Sequence, residues 1–214
     1  MRYLLLAVTG AAVFLYAQLV GSSALGLLSK GIPVIALLLW LRQAPPDTYR
    51  HWISAGLLCS LAGDLLLQWP NDLFVFGLGA FLLAHLAYLR AYLSDCRQPA
   101  WLALILAALT GAGVFTLLTR ADLGALLLPV ACYALAISAM LWRALARLGE
   151  ARLTSRSARL AALGAALFVL SDSLIGINRF VAPFAAVPLA IMLSYWLGQW
   201  LIAASVFQRT PQPL

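Results

Sequence analysis

The sequence contains very few charged residues. Only 10% of its 214 residues are Asp, Glu, Lys or Arg, whereas 64% are hydrophobic. Soluble domains carry about 25% charged residues, so a soluble globular protein is excluded. The composition predicts an all-α, polytopic integral membrane protein, a helical bundle that forms a single domain over residues 1–214.

Several chemical signatures are also missing. The three cysteines are scattered and form no C-x-x-C pair, so zinc and disulfide sites have little support. No G-x-S-x-G, no H-E-x-x-H and no phosphate-binding glycine loop occurs, which disfavours serine lipases and zinc proteases. We therefore expect neither a metal nor a cofactor. The net charge of +7 does not indicate nucleic acid, because the basic residues lie in short connections between apolar runs.

Eight apolar segments approach the length of a membrane-spanning helix, which is about 17–25 residues. We expect the spans near residues 3–20, 25–41, 51–69, 72–93, 99–119, 123–143, 157–178 and 184–207. With eight spans both termini share one side, and all 14 basic residues except Lys30, Arg120 and Arg179 lie on that side. By the positive-inside rule, both termini are predicted to face the cytoplasm.

Two carboxylates lie inside these apolar spans. Asp64 occurs in "LAGDLLLQW" and Asp172 in "VLSDSLIG", in the non-cytoplasmic halves of spans that run the same way. A carboxylate inside a bilayer costs about 2.5–3.5 kcal/mol, so such residues face a bundle interior or a wet cavity. Each carboxylate has a structural interpretation, as an interhelical hydrogen bond or ion pair, and a functional one.

Other polar residues recur beside the carboxylates at helical spacing, which predicts inward-facing stripes. The stripes are Ser60-Asp64-Gln68-Asn71, Phe81-His85-Tyr88, Asp172-Gly176-Arg179 and Tyr195-Gln199. Lipid offers these groups no partner, so they are expected to point into the bundle.

Several of these polar residues suit either of two roles. His85, Tyr195 and Gln199 suit interhelical hydrogen bonds as well as cavity lining. Lys30 and Arg179, near the non-cytoplasmic surface, suit interfacial anchors as well as headgroup ligands. The remaining acidic residues are interpreted as loop charges: Asp47, Asp72, Asp95, Asp122 and Glu150.

Four segments in this order, downstream of Lys30, resemble the YhhN-like lysoplasmalogenases of bacteria and animals. They are LLCSLAGDLLL with Asp64, GAFLLAHLAYL with His85 and Tyr88, GAALFVLSDSLIGINRF with Asp172, Asn178 and Arg179, and YWLGQWLIAAS with Gln199. The family tends to place Pro directly after the Lys, whereas Lys30 here precedes Gly31-Ile32-Pro33. It often has paired tyrosines where this chain has Tyr195-Trp196.

The resemblance implies an intramembrane hydrolase of the bacterial inner membrane that cleaves the vinyl ether of lysoplasmalogens. The products would be a fatty aldehyde and glycerophosphocholine or glycerophosphoethanolamine. The expected partners are this lysophospholipid substrate and membrane lipids, with no nucleic acid and no obligatory protein partner.

A vinyl ether is cleaved by protonating its far carbon, which gives an oxocarbenium ion that adds water. Carboxylate pairs perform similar chemistry in glycoside hydrolysis, so Asp64 and Asp172 are the expected catalytic pair. The expected substrate contacts are Lys30, Asn71, His85, Tyr88, Asn178, Arg179, Tyr195 and Gln199.

Two other classes of function stay open at the level of sequence. Intramembrane Asp, His and Arg also mark ion pathways, so a small transporter or a proton-coupled carrier is the main alternative. A lipid-binding scaffold is a third.

Overall fold

Helices account for nearly all regular structure in the computed structural model of the protein, which describes residues 2–183 and 187–209. The α-helices are α1 Arg2–Leu19, α2 Ser23–Lys30, α3 Ile32–Leu41, α4 Thr48–Gln68, α5 Phe74–Asp95, α6 Trp101–Leu118, α7 Leu127–Ala146, α8 Ser155–Gly176 and α9 Val187–Phe207. A π-helical turn, Ile177–Val181, continues α8. No strand occurs in the described ranges, and the prediction of an all-α bundle is confirmed.

The second predicted span, 25–41, is not one helix but two, separated at Gly31. Pro33 lies in the first turn of α3, where its missing N–H cannot continue the hydrogen bonding of α2. The segment Ser23–Leu41 is still long and apolar enough to cross a membrane as a unit. The break makes Lys30 the last residue of α2 and leaves it buried inside the bundle.

Within the described ranges, seven helical segments are long and apolar enough to cross a membrane. Helix α4 has 21 residues but is more polar. Its residue Gly56 packs against the ring of Tyr88 in α5. Seven residues further along α4, Gly63 packs against Phe81, which precedes Tyr88 by seven residues. Helices α4 and α5 are therefore antiparallel. Helix α4 therefore lies alongside α5, and a total of eight crossings stays a prediction.

The two ends of the bundle are distinct. We call the end where α1 begins and α9 ends the terminal face. At this end, Trp40 near the end of α3 stacks on Phe207 of α9, with ring centroids 4.4 Å apart. At the opposite end, the far face, Asp72 follows α4 and Arg179 follows α8. Helices α4 and α8 thus run the same way, as predicted. That the terminal face meets the cytoplasm stays a prediction.

Helices α8 and α9 cross with their backbones in close contact. A Cβ atom at Gly164 would lie only 2.8 Å from the carbonyl oxygen of Gly198, so glycine is required at this crossing. Nearer the terminal face, the Ser157 hydroxyl donates to the Ser205 carbonyl over 2.9 Å. This contact fixes the depth of α9 residues relative to α8.

A buried ionic cluster closes the terminal face. Nη2 of Arg147 lies 2.9 Å from one oxygen of Asp95, and Nη2 of Arg209 lies 2.7 Å from the other. Both guanidinium groups also lie against the ring of Tyr49, at 4.5 and 4.6 Å from its centroid. The interpretation of Asp95 as a loop charge is wrong, because α5 extends to this residue and buries it. Glu150 is likewise buried, and it pairs with Arg152.

Candidate active site

Asp172, on α8, is held by two hydrogen bonds from neighbouring helices. Nε2 of His85 on α5 lies 2.8 Å from its Oδ2 atom. The hydroxyl of Tyr133 on α7 donates to the same oxygen. His85 is fully buried, and its Nε2 also lies 2.9 Å from the Tyr133 hydroxyl. The three side chains form a closed triangle in which both bonds to Asp172 end on one carboxyl oxygen.

Asp64, on α4, has a separate set of partners. The hydroxyl of Tyr195 on α9 donates to its Oδ2 over 2.7 Å. Nζ of Lys30 lies 3.9 Å from its Oδ1, and both side chains are buried. An ammonium group and a hydroxyl donor thus face the two oxygens of this carboxyl group. Lys30 therefore lies against Asp64 in the interior and not at the non-cytoplasmic surface where the sequence placed it.

Aromatic rings pack between the two carboxylate sets. Phe168 lies edge-on to His85, with ring centroids 4.8 Å apart, and edge-on to Tyr195, at 5.4 Å. Phe81 lies edge-on to both Phe168 and Tyr195, at 6.0 and 5.9 Å. The partners of Asp64 and of Asp172 are thus joined through one fully packed aromatic cluster.

A small cavity of about 50 Å³ opens beside Asp172 toward the far face. Asp172 and Tyr133 are its polar residues, and its other walls are apolar: Leu67, Phe74, Leu78, Phe81, Leu118, Val130, Ile175, Gly176 and Phe180. Two of these residues, Phe74 and Phe180, belong to the far-face ends of α5 and of the π-helical turn. The cavity therefore connects a carboxyl group to the membrane boundary along an apolar path.

Tyr88 and Gln199 are fully buried and bond to each other. The Tyr88 hydroxyl donates to Oε1 of Gln199 over 2.7 Å. Gln199 follows Tyr195, the partner of Asp64, by four residues on α9, so this bond lies about one turn closer to the terminal face. Their position supports the interpretation as interhelical hydrogen bonds. Nε2 of Gln199 and Nδ1 of His85 are buried and have no hydrogen-bond partner within the described residues.

The remaining predicted contacts lie at the far face. Asn71 is exposed in the connection between α4 and α5, and Asn178 is half-buried in the π-helical turn. Arg179 is exposed, and its Nη2 lies 2.9 Å from Oδ2 of Asp72. Its guanidinium group covers the ring of Phe74 at 4.9 Å. Arg179 is thus at the mouth of the cavity, which we define by Phe74 and Phe180.

Tyr133 is the site residue that the sequence did not indicate. It lies in an apolar stretch of α7 with no polar neighbour at helical spacing, so no stripe marks it. Within the described ranges, no group of three or more His, Cys, Asp or Glu side chains could hold a metal ion. The chemistry that the site offers is proton transfer by a carboxyl group in an apolar cavity, with a second carboxylate nearby.

The sequence is similar to those of known proteins. The family model described as YhhN family matches residues 25–206. A lysoplasmalogenase TMEM86B of Sus scrofa is 38% identical over 185 residues, covering 86% of this chain and 76% of the relative. The human TMEM86A lysoplasmalogenase is 35% identical over 192 residues, covering 85% and 78%.

A bacterial relative, the lysoplasmalogenase of Mycobacterium bovis, is 39% identical over 171 residues, covering 76% of this chain and 63% of the relative. No solved structure matches the chain. The matched region contains both carboxylates, His85, Tyr133 and Arg179.

Proposed function

Because the chain belongs to the YhhN family, we propose that it is an integral membrane lysoplasmalogenase. It cleaves the vinyl ether of a lysoplasmalogen to a fatty aldehyde and glycerophosphoethanolamine or glycerophosphocholine. The observation that carries the proposal is Asp172, a carboxyl group at the inner end of an apolar cavity that opens toward the far face. We further propose the bacterial inner membrane as its location.

Asp172 is the proton donor in this proposal. Its Oδ2 accepts both hydrogen bonds, from Tyr133 and His85, which leaves Oδ1 to carry a proton. The cavity beside Asp172 has apolar walls, so a vinyl ether can lie against this carboxyl group there. Asp172 then transfers the proton to the far vinyl carbon, and the resulting cation is shared between the near carbon and the ether oxygen.

Asp64 is the ionised partner. Lys30 lies 3.9 Å from its Oδ1 and the Tyr195 hydroxyl donates to its Oδ2, so a negative charge on Asp64 would be paired while it favours formation of the oxocarbenium ion. This division of roles is that of glycoside hydrolysis, in which one carboxyl group is the acid and the other is charged.

Water completes the reaction. It adds to the near carbon of the oxocarbenium ion while the Asp172 carboxylate takes its proton, which restores the acid. The hemiacetal then collapses to the aldehyde, and the original ether oxygen stays with the glycerol as a hydroxyl group. His85 and Tyr133 keep Asp172 in one orientation throughout these steps.

The substrate lies along the cavity from the far face. Arg179, at the mouth, binds the phosphate, and Asn71 and Asn178 line the same face. The apolar walls receive the hydrocarbon next to the vinyl ether. Tyr88 and Gln199 support the site from behind, by fixing α5 against α9.

A transporter is not favoured. The relatives named above are lysoplasmalogenases, and the intramembrane charges are paired within the bundle instead of forming an open path: Asp64 with Lys30 and Asp172 with His85.

The proposal is tested with three lipids of equal chain length and headgroup. Purified protein in detergent is incubated with a lysoplasmalogen, its saturated ether analogue and a lysophospholipid ester, and aldehyde and fatty acid release are measured. We expect aldehyde from the vinyl ether and no product from the other two lipids. Cleavage of the ester at a similar rate, or of no lipid, would contradict the proposal.

A further inference from the structure

The ionic pair at the mouth of the cavity has the charge pattern of a phospholipid headgroup. We propose that Asp72 and Arg179 form a subsite for zwitterionic headgroups, in which Arg179 binds the phosphate and Asp72 binds the ammonium group. This inference rests on the proposed function, because it concerns the headgroup of the lipid whose chain enters the same cavity. It gives Asp72, first interpreted as a loop charge, a role in specificity.

The pair lies where a headgroup would be when the vinyl ether meets Asp172. Arg179 follows Asp172 by seven residues on α8 and its π-helical continuation, a rise of about 10 Å. The adjacent residue Phe180 and the nearby Phe74 are edge-on to each other at 5.8 Å and line the cavity. The three-carbon glycerol unit joins the ether to the phosphate, so the vinyl ether can reach the cavity beside Asp172 while the headgroup lies at its mouth.

The contact between Asp72 and Arg179 is exchangeable. Their side chains are 68% and 46% exposed, and an exposed ion pair adds little to stability. Arg179 does not depend on Asp72 for its position, because its guanidinium group also covers the ring of Phe74 at 4.9 Å. A phosphate group can therefore replace Asp72 as the partner of Arg179 while the Arg179 side chain stays against Phe74.

A zwitterionic headgroup replaces one ion pair by two. The planar guanidinium group of Arg179 matches two phosphate oxygens, and the carboxylate of Asp72 matches an ethanolamine or choline cation. An anionic headgroup that lacks the cation would leave Asp72 facing a phosphate, and this repulsion gives discrimination. Lys30 does not compete for the phosphate, because it is buried against Asp64.

Binding is measured with saturated ether lysolipids, which carry no vinyl ether, so the result does not depend on hydrolysis. Each lipid has the same chain and either a phosphoethanolamine, a phosphocholine or an anionic phosphoglycerol headgroup. For Asp72→Asn we expect the affinity for the two zwitterionic lipids to fall about tenfold, as for loss of one charge-assisted contact, while that for phosphoglycerol is unchanged or rises. Arg179→Gln should weaken binding of all three lipids.

Matched controls are available on the same face. Arg120→Gln and Asp122→Asn remove exposed charges of the same types and should leave all three affinities unchanged. If Asp72→Asn lowers the affinity for all three lipids equally, or leaves all three affinities unchanged as Asp122→Asn does, the proposed subsite is overturned. Thermal unfolding of each variant in detergent shows whether a loss of binding is instead a loss of fold.

The outcome is separable from that of the proposed function. If the wild-type protein binds the zwitterionic lipids selectively but cleaves no lysoplasmalogen, the subsite stands and the enzymatic proposal fails. If it cleaves lysoplasmalogens with equal affinity for zwitterionic and anionic headgroups, the subsite fails and the enzymatic proposal stands.

Discussion

Nε2 of His85 lies 2.8 Å from Oδ2 of Asp172, and the pair joins α5 to α8 in the membrane interior. The same carboxyl oxygen accepts a bond from Tyr133 on α7. Three helices therefore converge on a single oxygen atom at the inner end of the cavity. This convergence fixes the orientation of the second oxygen of Asp172. The two hydrogen bonds also give partners to a carboxyl group that would be costly to place in lipid.

Removing the Tyr133 hydroxyl tests whether that orientation matters for catalysis. Tyr133→Phe deletes one hydrogen bond to Asp172 and keeps the ring that lines the cavity. We expect kcat to fall about 10- to 100-fold, as for loss of a hydrogen bond to a charged or reacting group.

The control for this variant is Tyr16→Phe, which alters a side chain that is 59% exposed on α1. Its kcat should equal that of the wild-type protein. An unchanged kcat in Tyr133→Phe would show that the hydroxyl group has no part in the reaction.

The ion pair of Lys30 and Asp64 predicts a coupling between two substitutions. Removing one partner of a buried pair leaves the other uncompensated and costs about 3–5 kcal/mol. Lys30→Met and Asp64→Asn should each lower the free energy of unfolding, and the double variant should lose less than the sum of the two. Unfolding in detergent measures all three, and strictly additive losses would show that the pair makes no net interaction.

Much of the site was predictable because spacing alone reports which face of a helix is polar. His85, Tyr195 and Gln199 were expected to point inward, and all three are buried. What the sequence could not provide was the partner of each group. The pairs Asp64 with Lys30 and Asp172 with His85 join residues from different helices, and such contacts depend on how the helices pack.

Two misplacements have clear physical causes. Lys30 was expected near the surface because a continuous helix was assumed over 25–41, but the break at Gly31 makes it the buried end of α2. Asp95 was interpreted as a loop charge, although it is the last residue of α5 and pairs with Arg147 and Arg209 across the terminal face. Sequence periodicity is least informative at helix ends, where both residues lie.

The ionic cluster at the terminal face should contribute to stability and not to catalysis. Arg147→Met leaves Asp95 with one cation fewer in a buried position, so we expect the free energy of unfolding to fall by about 3–5 kcal/mol. Because the cluster lies at the opposite end of the bundle from the cavity mouth, kcat of the folded protein should not change. Arg159→Met alters an exposed residue of α8 and serves as the control. Equal free energies of unfolding for Arg147→Met and Arg159→Met would contradict this prediction.

The crossing of α8 and α9 predicts opposite effects for two glycine substitutions. Gly164→Ala places a methyl group 2.8 Å from the Gly198 carbonyl oxygen, and overpacking of this kind costs about 1–3 kcal/mol. Gly113→Ala on α6 meets no atom within 4 Å and should stabilise its helix by about 0.5–1 kcal/mol. Thermal unfolding in detergent compares the two, and a Gly164→Ala variant as stable as the wild-type protein would refute the close crossing.

The central claim is that the Asp172 carboxyl group protonates the vinyl carbon, and a reaction in heavy water tests it most directly. Mass spectrometry of the released aldehyde should show one deuterium on the carbon next to the carbonyl group, beyond what the same aldehyde acquires in heavy water without protein. Asp172→Asn, folded in detergent, should release no aldehyde. Aldehyde without the deuterium, or labelled aldehyde from Asp172→Asn at the wild-type rate, would contradict the claim.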